Sequence, residues 1–165
     1  MEKNIDWKPL LKRAYEEAKI GRDPSTQNAA LLVDDAGKVV LFEINRFPDG
    51  IKYTKERLER PLKYKFSVDA EKNVCVAAAR QGIKTEGLTM VCPWASCSDC
   101  AQVIIQSGIK RLVTHKQALD KSSDIWRRDI DIALSMLKEA GVEVVLYDGL
   151  VGVNEVLFSG QSWNP

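Results

Sequence analysis

The chain has 165 residues, enough for one domain whose apolar core needs no disulfide staples. Hydrophobic residues make up 45% and charged residues 28%, the composition of an ordinary globular protein. With 24 Lys and Arg against 23 Asp and Glu the formal net charge is +1, which argues against a protein that coats nucleic acid or an anionic membrane. No apolar run approaches the roughly 18 residues of a membrane span. The opening stretch MEKNIDWKPLLKRAYEEAK lacks the apolar segment and small-residue cleavage site of a secretory signal. The expected location is the cytoplasm, where Cys75, Cys92, Cys97 and Cys100 are reduced thiols.

In chain order, Asp6 caps a predicted helix from Trp7 to Ile20, with Leu10, Leu11, Ala14, Tyr15 and Ala18 at helical spacing and Gly21 after it. Asn28–Val33 and Lys38–Ile44 read as strands joined by a turn at Asp34–Gly37. Asn45–Ser67 is a long polar loop, and loops of such length tend to be functional or disordered. Val68–Gln81 reads as a helix with Gly82 as its C-cap. Leu88–Val91, Arg111–Thr114 and Val142–Leu146 read as strands, separated by helices over Cys97–Ser107 and Asp124–Ala140. The tail, Gly149–Pro165, reads as a short strand or arm packed on the body through Val156, Leu157, Phe158 and Trp163. A hairpin followed by strand–helix alternation means an α/β fold with parallel crossovers after the hairpin. The expected organisation is a single domain over 1–165, with an N-terminal helix in 1–25, a substrate loop in 45–67 and a C-terminal arm in 149–165.

Cys97-Ser98-Asp99-Cys100 at a helix start carries the most chemistry. Its two thiols face one way, and the helix N-terminus stabilises thiolates. Such a pair binds zinc, exchanges disulfides, or is simply buried. No second C-x-x-C exists to complete a zinc site, and the one histidine, His115, reads as a surface or half-buried residue at a strand end rather than a ligand. Upstream, Asp69-Ala70-Glu71 opens a helix. Carboxylates at i and i+2 point about 200° apart, so one can hold a metal while the other faces a substrate. Alone, acidic residues at a helix start are common decoration.

Taken together, acidic-x-Glu followed by C-x-x-C resembles the zinc deaminase signature H-x-E…P-C-x-x-C, in which the Glu carries protons and is not a ligand. Asn45-Arg46-Phe47-Pro48-Asp49-Gly50, Glu56-Arg57, Pro61-Leu62-Lys63-Tyr64 and Asp69-Ala70-Glu71-Lys72-Asn73 resemble the lead into the catalytic helix of deoxycytidylate (dCMP) deaminases. The run from Cys100 to Lys110 and the Ala140-Gly141-Val142 turn are similar to later parts of that family, over roughly residues 26–147. The resemblance implies a three-layer α/β/α sandwich on a mixed five-stranded sheet. It also implies zinc at Asp69, Cys97 and Cys100, with Glu71 as the catalytic proton carrier and a nucleotide substrate. It assigns the Ala70 N–H to the pyrimidine carbonyl, the Ala95 carbonyl to the amino group and Asn45 to the sugar hydroxyl. Trp94 and Tyr64, with Phe66, would wall the base or sugar, although as core residues they would look the same. A nucleotide effector and a homo-oligomer also follow from the resemblance, the latter helped by the broad apolar face of 124–140.

Two positions depart from the family pattern: its zinc histidine is Asp69 here, and its proline before the first cysteine is Ser96. Asp reaches as far as His Nδ1 and binds zinc at about 2.0–2.2 Å, but an Asp–Cys–Cys set leaves the ion net −1 and a poorer Lewis acid. Lys72 and Arg80 are the nearest cations in sequence that could offset that charge. For a 5′-phosphate the loop offers Arg46, Lys52, Lys55, Arg57, Arg60, Lys63 and Lys65. With Glu71 and both cysteines intact, the expected activity is hydrolytic conversion of dCMP, or a 5-modified dCMP, to the uracil nucleotide and ammonia. The rivals are a nucleotide-binding homologue without chemistry, natural or made by substitution at 69, and a single-stranded nucleic-acid deaminase. A thiol–disulfide oxidoreductase is more distant, because three strands precede the C-x-x-C.

Overall fold

The computed structural model describes residues 5–165. Of the expected N-terminal segment 1–25, residues 1–4 thus lie outside the described residues. Helix α1 (Trp7–Ala18) leads into the hairpin β1 (Ala29–Val33) and β2 (Val39–Ile44). The polar loop that follows carries two single-turn helices, α2 (Lys55–Leu58) and α3 (Lys63–Phe66). Then come α4 (Ala70–Gln81), β3 (Thr89–Val91), α5 (Ser98–Gln106), β4 (Arg111–His115), α6 (Lys116–Asp120), α7 (Asp124–Glu139) and β5 (Glu143–Tyr147). The tail forms a second, small hairpin of β6 (Val156–Phe158) and β7 (Gln161–Trp163). Among the described residues no helix is long and apolar enough to cross a membrane.

The main sheet has the order β2-β1-β3-β4-β5, antiparallel across β2-β1-β3 and parallel across β3-β4-β5. The expected mixed five-stranded sheet and α/β/α layering are both present. Every residue of β1 is buried, because its two faces meet different helix layers. Ala30 and Leu32 pack under α4, α5 and α7 with Val74, Ala101, Ile104 and Leu137. Leu31 and Val33 face the opposite layer, with Leu11, Ala14 and Tyr15 of α1, Ala118 of α6 and Val156 of the tail. Both parallel crossovers place their helices, α5 and α7, on one side, as right-handed connections advancing along a sheet require.

His115 departs from its sequence reading, since it is 1% exposed. Its Nε2 lies 2.9 Å from the Gly149 carbonyl, which can only accept, so Nε2 carries the hydrogen. Nδ1 is then the acceptor for the Tyr15 hydroxyl at 2.8 Å. Burial holds the ring's pKa below its ordinary value and favours this neutral form. Its ring stacks on Trp163, so the histidine ties α1 and β4 to the tail and has no part in metal binding.

Core burial predicts where the fold is sensitive. Leu112→Ala, at a fully buried position of β4, is expected to cost about 2–5 kcal/mol, whereas Ile125→Ala on the exposed side of α7 should stay within about 0.5 kcal/mol of wild type. Urea denaturation midpoints at constant slope measure both.

Candidate metal centre and its cavity

The centre lies at the carboxyl end of β3, beside the adjacent end of β2, where α/β sheets leave a crevice. Two helices begin there. Asp69 is the N-cap of α4 and Cys97 the N-cap of α5, both with extended backbones (φ −65°, ψ 151° and φ −74°, ψ 169°). An N-cap side chain ordinarily turns back to bond a free N–H of its own helix. Neither of these does. Asp69 points across the crevice instead, with Oδ2 3.9 Å from Cys97 Sγ and 3.3 Å from Cys100 Sγ. Cys100, one turn into α5, presents its thiol on the side of Cys97.

These three donor atoms lie within 4.8 Å of one another, in the one cluster of metal-ligand type found among the described residues. A tetrahedral ion with Zn–S near 2.3 Å and Zn–O near 2.1 Å sets ligand atoms about 3.6–3.8 Å apart. The observed separations bracket that value, so the residues present fit zinc. The hydrogen bond to Cys97, burial, and the Glu71 and Asp69 carboxylates all hold the Cys100 thiol far above its ordinary pKa. Converging acidic groups of this kind are relieved by a divalent cation.

Glu71 sits two residues into α4, 3% exposed, facing the same crevice. Burial first, and the Asp69 charge second, push its pKa up to about 7. Ser96, also buried, donates its hydroxyl to Glu71 Oε1 at 3.0 Å. The position that departs from the family proline thus holds the carboxylate. Of the two cations considered for charge balance, Lys72 reaches the site: its Nζ lies 3.5 Å from Asp69 Oδ2 and 3.5 Å from Asp99 Oδ2. Burial would lower its pKa, but the neighbouring Cys100, Asp69, Cys97 and Asp99 raise it overall. Arg80 does not reach the site and pairs with Asp49 instead.

The crevice opens into a cavity of about 480 Å³. Ala95, Trp94, Tyr64 and Asn45 line it, as does Glu71. Trp94 has its indole N–H on the Gln27 carbonyl at 2.9 Å and stacks on Phe158 at 4.0 Å between centroids. Asn45 is committed to the scaffold: Oδ1 accepts from the Asn28 N–H at 2.8 Å and Nδ2 donates to the Thr26 carbonyl at 2.9 Å. Ala70 is fully buried in the α4 core, with its side chain outside the cavity lining. Arg46 is placed elsewhere, its guanidinium held by Glu43 and Asp49, because the Arg46–Val68 bridge turns it away from the crevice. Phe66 packs on Phe47, with the Arg57 guanidinium over its other side, and is not part of the lining. Instead, Arg60 and Lys63 bring positive charge to the cavity. Lys63 is buried and bound by Asp23 at 2.9 and 3.0 Å, whereas Arg60 lies 3.5 Å from Ser25 Oγ with its guanidinium over the Tyr64 ring.

Sequence reasoning missed several wall residues. Asp23, Trp126 and Asp129 line the cavity, and the tail hairpin contributes Phe158 and Ser159. The hairpin is seated by Ser159 N–H on Thr26 Oγ1 and by Gly160 N–H on the Ser25 carbonyl. No local pattern marks them, since each reaches the site from a distant element.

The profile of the cytidine and deoxycytidylate deaminase zinc-binding region matches residues 5–116. The chain belongs to this family. It is similar to an uncharacterized deaminase encoded in the luxG 3′ region of Aliivibrio fischeri, 31% identical over 81% of this chain and 90% of that protein. It is also similar to the deoxycytidylate deaminase of Enterobacteria phage T2, 40% identical over 80 residues, which make up 48% of this chain and 38% of the phage protein. In fold it resembles the dCMP deaminase of cyanophage S-TIM5, solved with dCMP and dUMP, at a TM-score of 0.65 with 20% identity, covering 86% of this chain and 94% of that one. The same fold occurs in a Thermotoga maritima pyrimidine deaminase/reductase, at a TM-score of 0.57 over 87% of this chain and 36% of that one.

The Asp23–Lys63 pair gives the cavity floor a pH signature. Burial raises the Asp23 carboxyl, but bonds from Lys63, Ser25 and Thr26 outweigh it and leave the pKa below its ordinary value. Its contribution to stability is therefore complete above the unfolded value of about 3.9 and is lost as pH falls through the lower folded value. Asp23→Ala strands a buried ammonium and is expected to cost about 3–5 kcal/mol at pH 7. The gap between the urea midpoints of wild type and variant should be constant above about pH 4 and narrow only as pH falls below it, through the depressed folded pKa of Asp23; a gap that does not narrow in acid contradicts the assignment.

Proposed function

We propose that this chain is a zinc-dependent hydrolase that deaminates a cytosine deoxynucleotide, dCMP or a 5-modified dCMP, to the uracil nucleotide and ammonia, acting as a single catalytic unit. The observation that carries the reading is the convergence of Asp69, Cys97 and Cys100 beside a buried carboxylate that is not a ligand. The deoxycytidylate deaminase relatives support the substrate class.

Asp69, Cys97 and Cys100 would hold the ion, which supplies Lewis acidity and lowers the pKa of an adjacent water. Glu71 takes one proton from a water that adds to C4 of the ring and passes it to N3; it then takes the second from the new C4 hydroxyl and passes it to the amino group as the C4–N bond breaks, so that ammonia leaves and the C4 carbonyl forms. A carboxyl raised to about 7 both accepts and donates near neutrality, as this shuttle demands. The Ser96 hydroxyl fixes the Glu71 carboxyl in rotation. We assign base orientation to the Ala70 N–H and Ala95 carbonyl, and the base wall to Trp94. Asn45 shapes the sugar end through its fixed amide, and Tyr64 flanks it. A 5′-phosphate is assigned to Arg60 in place of Arg46, because among the described residues no carboxylate holds the Arg60 guanidinium, which lines the cavity. Self-association through the exposed Ile125, Trp126 and Ile132 of α7 is part of the same proposal, as is control by a nucleotide effector.

One observation favours single-stranded nucleic acid as substrate: Tyr64 and Trp126 form a half-exposed aromatic pair at the cavity mouth, 6.1 Å apart, with the Arg60 guanidinium over Tyr64. Competition of single-stranded DNA against dCMP in an ammonia-release assay separates the two substrates.

Elemental analysis should find about one zinc per chain, and Cys100→Ala should lose it. Glu71→Gln is expected to keep zinc while kcat falls about 10²- to 10⁴-fold. Ser96→Ala should lower kcat about tenfold with KM little changed, the effect of losing one bond to a buried carboxylate. Wild-type protein that carries zinc yet releases no ammonia from dCMP or a 5-modified dCMP overturns the enzymatic reading and leaves a nucleotide-binding homologue.

A further inference from the structure

The α5 start raises a question of hydrogen bonding. Cys97 occupies the N-cap but gives no capping bond, because its sulfur faces Asp69. The first free N–H of α5, that of Ser98, therefore needs an acceptor from elsewhere. It has one: Asp129, at the second turn of α7, accepts the Ser98 N–H through Oδ2 at 2.8 Å and the Ser98 hydroxyl through Oδ1 at 2.7 Å. Two bonds from one carboxylate to one residue leave Ser98 little freedom to rotate. Ser98 is the residue immediately after Cys97 and lies within the turn that ends at Cys100. α7 is itself anchored next to this point, since Ile130 is buried and Ala133 and Leu137 lie in the core with Ala101 and Ile104 of α5.

We infer that Asp129 is a positioning residue for the metal centre: it supplies an acceptor at an α5 start that Cys97 leaves uncapped, and so holds the Cys97 and Cys100 sulfurs at the separation an ion requires. The inference rests on the proposed zinc reading of Asp69, Cys97 and Cys100. It adds a residue from α7, which lies beyond the 5–116 segment that the family profile covers. Residues supporting metal ligands in this way typically change metal affinity about 10- to 100-fold when lost.

The replacements that test it separate geometry from charge. Asparagine at 129 keeps both bonds, its Oδ1 accepting the Ser98 N–H and its Nδ2 donating to the Ser98 hydroxyl, but it carries no charge. Alanine keeps neither. Full-length protein is loaded with zinc, and release into excess chromophoric chelator is followed in wild type, Asp129→Asn, Asp129→Ala, Ser98→Ala and the Ser98→Ala/Asp129→Ala double variant. Thermal melts of the same samples report folding. The expected result is release about 10- to 100-fold faster in Asp129→Ala. Asp129→Asn should stay within about threefold of wild type, Ser98→Ala should be intermediate, and the double variant no worse than Asp129→Ala. In the cobalt-loaded proteins the thiolate-to-metal absorption should change in Asp129→Ala and be restored in Asp129→Asn, which a purely structural cap would not produce. If Asp129→Ala holds zinc as wild type does, or if Asp129→Asn is as damaged as Asp129→Ala, the positioning role is wrong. If wild type itself takes up no zinc at these cysteines, the proposed metal reading fails, a different outcome from either of those.

Discussion

Two helix starts meeting without their own caps is the constraint on which the rest of the site depends. An N-cap side chain usually closes on its own helix and is then lost to chemistry. Asp69 and Cys97 are released from that duty and turn toward each other, bringing an oxygen and two sulfurs into one small volume. The sheet makes this possible. β2 and β3 end side by side, with β1 between them, and the loops leaving those ends deliver α4 and α5 to one crevice. With those side chains directed into the crevice, other groups take up the polar work: Asp129 bonds the start of α5, and Lys72 lies against the Asp69 carboxylate.

The exchange of histidine for aspartate adds a negative charge to a site that already holds two thiols and a buried glutamate. Lys72 bridges Asp69 and Asp99 and opposes that charge locally. Ser96, in the place of the family's proline, gives up chain stiffness but supplies a hydroxyl to Glu71. The two departures from the family pattern therefore each meet a neighbour that gives them a physical role.

The remainder of the cavity is assembled from parts of the chain that are far apart. Trp94 stands between the Gln27 carbonyl, which fixes its indole nitrogen, and Phe158 of the tail hairpin, which stacks on its face. The tail is held in turn by the buried His115, through the Gly149 carbonyl and the Trp163 ring. The basic loop divides its charges. Arg46 and Lys63 are engaged with Asp or Glu side chains, and Arg60 brings a guanidinium to the cavity beside the Ser25 hydroxyl and the Tyr64 ring.

Much of this was legible in the residues. Short apolar runs bounded by turn residues marked the strands of the main sheet, and period-3.6 apolar patterns marked its long helices, since burial on both faces of a strand and on one face of a helix imposes those patterns directly. The pairing of Asp69-Ala70-Glu71 with Cys97-Ser98-Asp99-Cys100 marked the two helix starts that the fold brings together, because carboxylates and thiols at those positions are recognisable by spacing alone. The sequence could not choose between Lys72 and Arg80, or between Arg46 and Arg60, since neighbours along the chain do not define neighbours in space. It also read His115 as a half-exposed residue, because a strand end gives no sign that a tail will fold over it. Asp129, Asp23 and Trp126 left no local trace for the same reason, and Phe158 was legible as a packing residue of the tail but not as a wall of the cavity: each reaches the cavity across a tertiary contact. Composition, periodicity and motif spacing determined the fold class and singled out the Asp69, Cys97 and Cys100 cluster. Only the packed structure decided which charges and walls surround them, because burial and hydrogen-bond geometry belong to the assembled layers and not to the chain.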